Sequence, residues 1–254
     1  MVFDKLKSLV GSGVTIDTVL PSGGVKPGEN LVGEVRFQGG DVDQDVNGIV
    51  LHYTAVVTEE ADGKDKAENS EFFAANATGP FQLRAGTDHV VEFSTQVPWE
   101  APLSTIDGRP MAGMKLGVAT ELDLKLALDK GDVDPLQIDP LPVQQAVMSA
   151  IEELGFVYQE SDLEPGTIEG SHLAFHQEII FWAKGDYADR FQQLELSFIA
   201  GPEETVVIFQ IGNDAGLVDP DQSSVLRFTL SNEEADVAGP VEENLNQLIQ
   251  RKGL

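Results

Sequence analysis

The sequence predicts an all-β protein made of two consecutive β-sandwich domains with a few short helices. The first observation is alternation: across residues 25–59, apolar side chains occupy every second position of two long runs. A period of two is typical of a half-buried strand, because successive side chains leave opposite faces of the pleat. The second observation is the order of elements, in which strands come first, one helix follows, and strands return before a closing helix. The crossover helices of an α/β fold are missing from this order.

The first domain is predicted at residues 1–131. A short helix is expected at residues 2–10, where the apolar residues form one helical stripe. The charged segment 59–70 and the proline- and glycine-containing segment 99–113 are expected to be exposed loops. Alternating residues predict the strands of this domain at 14–20, 31–38, 49–58, 71–77, 81–84, 90–97 and 116–128.

The second domain is predicted at residues 132–254. Its boundary lies in a linker-like stretch, DKGDVDPLQIDPLP, which combines three prolines with clustered aspartates. Helical spacing predicts one helix near residues 143–154 and a closing helix near residues 240–252. Strands are expected at 156–160, 172–182, 191–200, 205–211 and 224–230.

Charge limits the classes of partner. The chain has 16 basic and 43 acidic residues, a formal net charge of −27. It therefore lacks the basic surface that binds nucleic acid or anionic lipid. Such acidity would destabilise a fold in dilute salt by self-repulsion, which high salt screens. We interpret the chain as a salt-adapted, halophile-like protein; the alternative is an acidic mesophilic protein with cationic partners.

Other features of the composition bear on location. The chain contains no cysteine, which excludes disulfides, thiol catalysis and thiolate metal sites, and favours a cytoplasmic setting. No apolar run approaches the roughly 18 residues that a membrane-spanning helix needs, so stable membrane insertion is not expected. The N-terminal sequence lacks the apolar run of a secretory signal.

Several segments, taken in order, resemble a known family. They are KPGENLVGEVRFQGG, DQDVNGIVLHYTAVVTE, FQLRAGTDHVVEFSTQVPWEAPLST, LDLKLALDKGDVDPLQIDP and PVQQAVMSAIEELGF. Together they resemble the arrestin fold, and more narrowly the bacterial and archaeal sporulation-control protein M family. The resemblance covers essentially the whole chain. It implies two arrestin-like β-sandwich domains in a regulatory, non-catalytic scaffold or adaptor. The acidity of this chain departs from the family and puts any inherited binding surface in question.

One segment has the opening pattern of a calcium loop. Asp43, Asp45 and Asn47 follow the D-x-D-x-N-G spacing, with Gly48 at the sharp-turn position. However, Thr54 stands where the bidentate glutamate is needed, and the flanking segments are predicted strands instead of helices. A solvated acidic hairpin is therefore the favoured interpretation, and no metal or cofactor is predicted.

The histidines and tryptophans give weaker signals. His172 and His176 share one face of a predicted strand, but same-face residues four apart lie about 13 Å from each other, too far to share an ion. They are interpreted as surface or cross-strand histidines. Trp99 and Trp182 are interpreted as core or rim residues.

The chain also lacks the motifs of common enzyme classes. It has no G-x-S-x-G nucleophile motif and no phosphate-binding loop. A hydrolase would rest only on the abundance of carboxylates. We therefore expect a non-catalytic scaffold that binds protein partners through edge strands, through the segments 59–70 and 99–113, or through a groove between the domains. The alternative is a calcium- or carbohydrate-binding β-sandwich module, and the oligomeric state is left open.

Overall fold

The structure is a computed structural model, and it confirms the fold class predicted from the sequence. Sheets dominate, and two α-helices are present among the described residues. None of the described helices is long and apolar enough to cross a membrane. The structure describes residues 7–8, 14–61, 64–124, 130–211, 217, 223–234 and 236–254.

The chain forms two compact units, and each is assembled from separate segments. The first unit comprises Met1–Ala55, Asn69–Val97 and Lys115–Gln137. The second comprises Val56–Glu68, Pro98–Met114 and Ile138–Leu254. Whether the chain divides into independent domains at residues 1–131 and 132–254 stays a prediction.

The first unit contains two antiparallel sheets. The strand order of one sheet is β1 (Lys7–Ser8), β2 (Thr15–Val19), β3 (Asn30–Gln38) and β7 (Asp88–Gln96). The order of the other is β11 (Lys130–Pro135), β10 (Leu116–Leu124), β4 (Gln44–Ala61) and β5 (Lys64–Thr78), with β6 (Phe81–Leu83) paired to β4. Strands β4 and β5 belong to this unit up to residue 55 and from residue 69.

Two buried hydroxyl pairs connect these sheets. The Thr18 and Thr120 Oγ1 atoms lie 2.5 Å apart and join β2 to β10. The Tyr53 hydroxyl lies 2.5 Å from Thr95 Oγ1 and joins β4 to β7. Since a buried hydroxyl without a partner is costly, each pair satisfies two polar groups inside an otherwise apolar core. That core comprises, among others, Ile16, Leu31, Val35, Phe37, Ile49, Leu51, Val118 and Leu122.

The second unit contains a five-stranded antiparallel sheet and two helices. The strand order is β12 (Phe156–Pro165), β13 (Phe175–Ala183), β14 (Gln193–Ala200), β15 (Glu204–Ile211) and β16 (Val225–Ser231). Helices α1 (Pro142–Glu153) and α2 (Ala238–Lys252) pack on each other. Helix α1 also contacts β12, and α2 contacts β15 and β16. A 3-10 turn (Gly185–Tyr187) and a small hairpin of β8 (Thr105–Ile106) and β9 (Arg109–Pro110) complete the described elements.

Local signals explain the helix ends. Proline at the first position of α1 suits a helix start, where its missing N–H has no intrahelical partner. Helix α2 ends at Gly253, which adopts the left-handed conformation with φ 78°. Only glycine adopts this conformation at little cost, so the sequence ends the helix there.

Three segments have a secondary structure that differs from the prediction. The helix expected at residues 2–10 is wrong at Lys7–Ser8, which form a strand paired with β2; the rest of that prediction lies outside the described residues. The loop expected at 59–70 is also wrong, because β4 continues to Ala61 and β5 begins at Lys64. Residues 66–69 are exposed to solvent. A solvent-exposed strand can contain charged side chains, and these are the residues that predicted a loop. The linker-like stretch after residue 129 contains β11, which pairs with β10.

Segment 99–113 has little regular structure, as predicted, but it is not an exposed loop. Leu103, Ile106 and Met111 are buried, and only residues 107–110 and 112–113 are exposed. The Gln177 side chain donates to the Leu103 carbonyl and accepts from the Leu103 N–H, both at 2.8 Å. These contacts attach the segment to β13, so most of it is unavailable to a partner protein.

Candidate functional site

The described residues contain a buried cluster of carboxylates around a histidine, on one face of the sheet of the second unit. His176 and Glu178 lie on β13 and are only 4% and 6% exposed. On β12, Glu164 is the direct cross-strand partner of His176, and Asp162 is that of Glu178. Glu195 on β14 is also buried. We call these five residues the acidic–histidine cluster.

Strand alternation places the cluster on one face. On β13 the neighbouring positions Phe175, Ile179 and Phe181 are buried on the opposite face. On β12, Leu163 between the two acidic residues is buried as well. Because successive side chains leave opposite faces, a strand that buries apolar residues on one face gathers its polar residues on the other.

The histidine is held in one orientation. Its Nδ1 atom lies 3.1 Å from the Gly166 carbonyl oxygen, which can only accept, so Nδ1 carries a hydrogen and donates it. Its Nε2 atom lies 3.3 Å from Glu178 Oε1. One ligand atom from each of Glu164, His176 and Glu178 lies within 4.8 Å of the other two. Three groups that can bind a proton or a cation therefore converge on one small volume.

The surroundings shift the proton affinities of the cluster. Burial, together with the nearby Glu178 carboxylate, raises the pKa of Asp162 to about 7 and that of Glu195 to about 8. Burial opposes the charged form of His176, but its contacts with Glu178 and Gly166 outweigh burial and raise its pKa. In the two acidic side chains, the pKa rises because negative charges are crowded where water cannot solvate them.

A second cluster lies in the first unit. The imidazole of His52 lies between two carboxylates, with Nδ1 2.7 Å from Glu71 Oε2 and Nε2 3.0 Å from Glu121 Oε2. These residues border a groove of about 190 Å³. The carboxylates contact opposite edges of the ring, so they cannot bind one ion together with the histidine. Each ring nitrogen of His52 has its own carboxylate neighbour.

The residues of the predicted calcium loop have other contacts. Asp43 Oδ1 accepts a hydrogen bond from the Ala85 N–H at 2.8 Å, and Asn47 Nδ2 donates to Asp123 Oδ1 at 3.2 Å. Asp45 and Asn47 lie on the extended strand β4. Same-face residues of a strand are about 6.6 Å apart along the chain, unlike the tight turn of a calcium loop. The fold therefore adds no support for the calcium alternative.

The two histidines predicted not to share an ion have separate surroundings. His172 precedes β13, and its Nδ1 atom lies 2.6 Å from Glu100 Oε1. His176 is a cross-strand histidine, but neither its burial nor its carboxylate neighbours follow from the sequence pattern. The sequence does contain a usable signal, which is the spacing of two within each pair. His176 and Glu178 lie two apart in the strand predicted at 172–182, and Asp162 and Glu164 lie two apart just after the strand predicted at 156–160.

The two tryptophans and His89 lie at or near the surface. Trp99 is half-buried, and Trp182 is exposed with the Lys184 ammonium 5.8 Å from its ring centroid. His89 stacks on Phe37, with ring centroids 5.1 Å apart and an interplanar angle of 5°. These contacts indicate local packing.

Comparison with known proteins agrees with the resemblance found in the sequence. Residues 3–215 match the model of a family described as SpoOM protein. The chain is 27% identical to the sporulation-control protein spo0M of Bacillus subtilis (strain 168), over 98% of each chain. The crystal structure of Spo0M, sporulation control protein, from Bacillus subtilis superposes with a TM-score of 0.80 at 25% identity, covering 95% of this chain and 99% of that one. The chain therefore belongs to the sporulation-control protein M family and has its arrestin-like fold.

Proposed function

We propose that this protein is a non-catalytic scaffold or adaptor that acts in the cytoplasm and regulates other proteins by binding them. Membership of a sporulation-control family supports a regulatory role. The observation that carries the proposal is an open sheet edge in the first unit, formed by β7.

Strand β7 is regular and ends its sheet. All nine of its residues, Asp88–Gln96, pair in continuous register with β3. Among the described residues, no strand pairs with its other side. Such an edge presents backbone N–H and C=O groups that an extended segment of another protein can pair with.

The side chains beside this edge indicate the kind of segment that fits. Val90 on β7 and Val32 on β3 are 56% and 54% exposed, which is unusual for large apolar residues. Asp88 and Glu92 are exposed on the same face as Val90. An extended partner segment whose same-face residues, two apart in its sequence, are basic, apolar and basic would cover Val90 and neutralise Asp88 and Glu92. The net charge of −27 favours the approach of such a cationic segment.

Crosslinking with mass spectrometry, in the source organism at its native salt, tests this proposal. We expect crosslinks between a partner protein and residues on or beside β7. The variant Val90→Lys adds positive charge where a basic segment would lie, and we expect it to lower recovery of that partner about tenfold, the equivalent of about 1.4 kcal/mol.

Val42→Lys is the matched control, because Val42 is 62% exposed but lies outside the strands. It should recover the partner as the wild type does. Equal unfolding midpoints for the three proteins would show that folding is unaffected. Repeated recovery of no partner by the wild type, or equal recovery by Val90→Lys, would refute the proposal.

A further inference from the structure

The acidic–histidine cluster has the composition and spacing of a metal site, independently of any partner that the first unit binds. Two ligands about 2.1–2.2 Å from one cation lie at most about 4.4 Å apart. The ligand atoms of Glu164, His176 and Glu178 lie within 4.8 Å of one another. Small side-chain movements would therefore bring all three to bonding distance around one ion.

The histidine is oriented as metal-binding histidines are. Its Nδ1–H donates to the backbone carbonyl of Gly166, which fixes the ring and leaves the Nε2 lone pair facing the carboxylates. In the neutral ring, this lone pair faces Glu178 Oε1 at 3.3 Å. Two acceptors at that distance repel each other unless a proton or a cation lies between them.

An independent observation comes from Asp162. Its Oδ1 atom is buried and has no hydrogen-bond partner among the described residues. Asp162 lies directly across from Glu178 in the pairing of β12 with β13, so the atom belongs to the same side of the sheet as the cluster. A buried carboxylate oxygen without a donor is unfavourable, and a bound cation would satisfy it.

We propose that Glu164, His176 and Glu178 bind one divalent transition-metal cation, with the Asp162 carboxylate on the same face of the sheet. One imidazole nitrogen with several carboxylate oxygens suits Zn²⁺ or Mn²⁺ better than Ca²⁺ or Mg²⁺, which prefer oxygen ligands alone. Asp162 and Glu164 are half-buried on β12, the edge strand of this sheet, so an ion can enter from that side. The cation would join β12 to β13 through side chains.

The test is calorimetric titration of the full-length, chelator-treated protein with ZnCl₂ at high salt. The wild type should bind one equivalent, and Zn²⁺ should raise its unfolding temperature. The variant His176→Gln removes the nitrogen ligand, and we expect it to weaken binding at least about 100-fold, since loss of even an outer-shell partner costs 10–100-fold. The matched control His172→Gln alters an exposed histidine next to Glu100 and should bind as the wild type does.

A second variant distinguishes the loss of a metal ligand from misfolding. Glu164→Gln changes a half-buried ligand on the edge strand and should also weaken Zn²⁺ binding without lowering the metal-free unfolding temperature. Absence of binding to the wild type would overturn the proposal. So would equal binding by the wild type, His176→Gln and Glu164→Gln, because the ion would then be held elsewhere on the acidic surface.

Discussion

The buried hydroxyl pair of Tyr53 and Thr95 gives a quantitative test of the sandwich in the first unit. Tyr53 is completely buried, and its hydroxyl lies 2.5 Å from Thr95 Oγ1. Its ring makes edge-to-face contacts with Phe72 and Phe73 at centroid distances of 6.1 and 5.4 Å. The change Tyr53→Phe keeps these ring contacts and removes only the hydroxyl, so it isolates the hydrogen bond.

The expected magnitude follows from burial. Tyr53→Phe leaves the Thr95 hydroxyl buried without this partner, and Thr95→Val does the same to the tyrosine hydroxyl. Each single change should lower the free energy of unfolding by about 1–3 kcal/mol. The double variant removes both polar groups together. If each single change costs about 2 kcal/mol and the double change costs the same, the coupling energy is about 2 kcal/mol.

The assay is chemical and thermal unfolding of the four proteins, followed by circular dichroism at constant salt. A loss of 2 kcal/mol corresponds to a fall of about 4–8 °C in the unfolding temperature for a chain of this size. Tyr158→Phe is a matched control, because Tyr158 is half-buried and its contact with Ser161 Oγ is longer, 3.2 Å. The inferred alignment of the two sheets would be refuted if the two single changes had additive effects on the free energy of unfolding. It would also be refuted if Tyr53→Phe left that free energy unchanged.

Two further predictions concern a glycine and an ion pair. Gly33→Ala should lower stability by about 1–3 kcal/mol in an unfolding assay, since the new methyl group would lie 2.6 Å from the Phe93 ring and 2.7 Å from the Val19 carbonyl. Glu100→Gln should lower the free energy of unfolding most between pH 4.5 and pH 6.5, which are the ordinary pKa values of glutamate and histidine. Unfolding measured as a function of pH tests this. Burial acts to raise the pKa of Glu100, but hydrogen bonds from His172 and the neighbouring Ser171 outweigh it and lower that pKa, while Glu100 raises the pKa of His172.

The sign of the pH effect follows from these directions. The Glu100 contribution is lost as pH falls through its lowered pKa, and the His172 contribution is lost as pH rises through its raised pKa. Both contributions are therefore fully present between the two ordinary values. A cost of Glu100→Gln that does not vary with pH would contradict this ion pair. For the glycine, Gly23→Ala is the control, because nothing lies within 4 Å of the added methyl group there. Equal stability of the two alanine variants would contradict the close approach of Phe93.

Regular strands could be predicted from the sequence because their signal is local. In β10, Leu116, Val118 and Leu122 lie at alternating positions on one face of the strand, and the structure buries all three. The helices were predictable for the same reason, and α1 begins one residue before its expected start. Charged residues predict a loop where the structure has β5, whose residues 66–69 are exposed. A solvent-exposed strand lacks the alternation of apolar and polar residues that identifies a half-buried strand in the sequence.

The acidic–histidine cluster could not be predicted in the same way. The contact between Glu164 and His176 depends on the pairing register of β12 and β13, which the sequence does not specify locally. A shift of one residue would move His176 to the opposite face of the sheet. His52 and its two carboxylates also come together through strand pairing, from β4, β5 and the more distant β10.

The position of the cluster beside an outer strand has a consequence for self-association. A sheet that ends in a long apolar strand can recruit the same strand of another copy and grow into aggregates. Here Asp162 and Glu164 lie on the terminal strand β12, and a second copy would bring another set of carboxylates against them. We therefore expect repulsion between copies to disfavour growth at this end of the sheet.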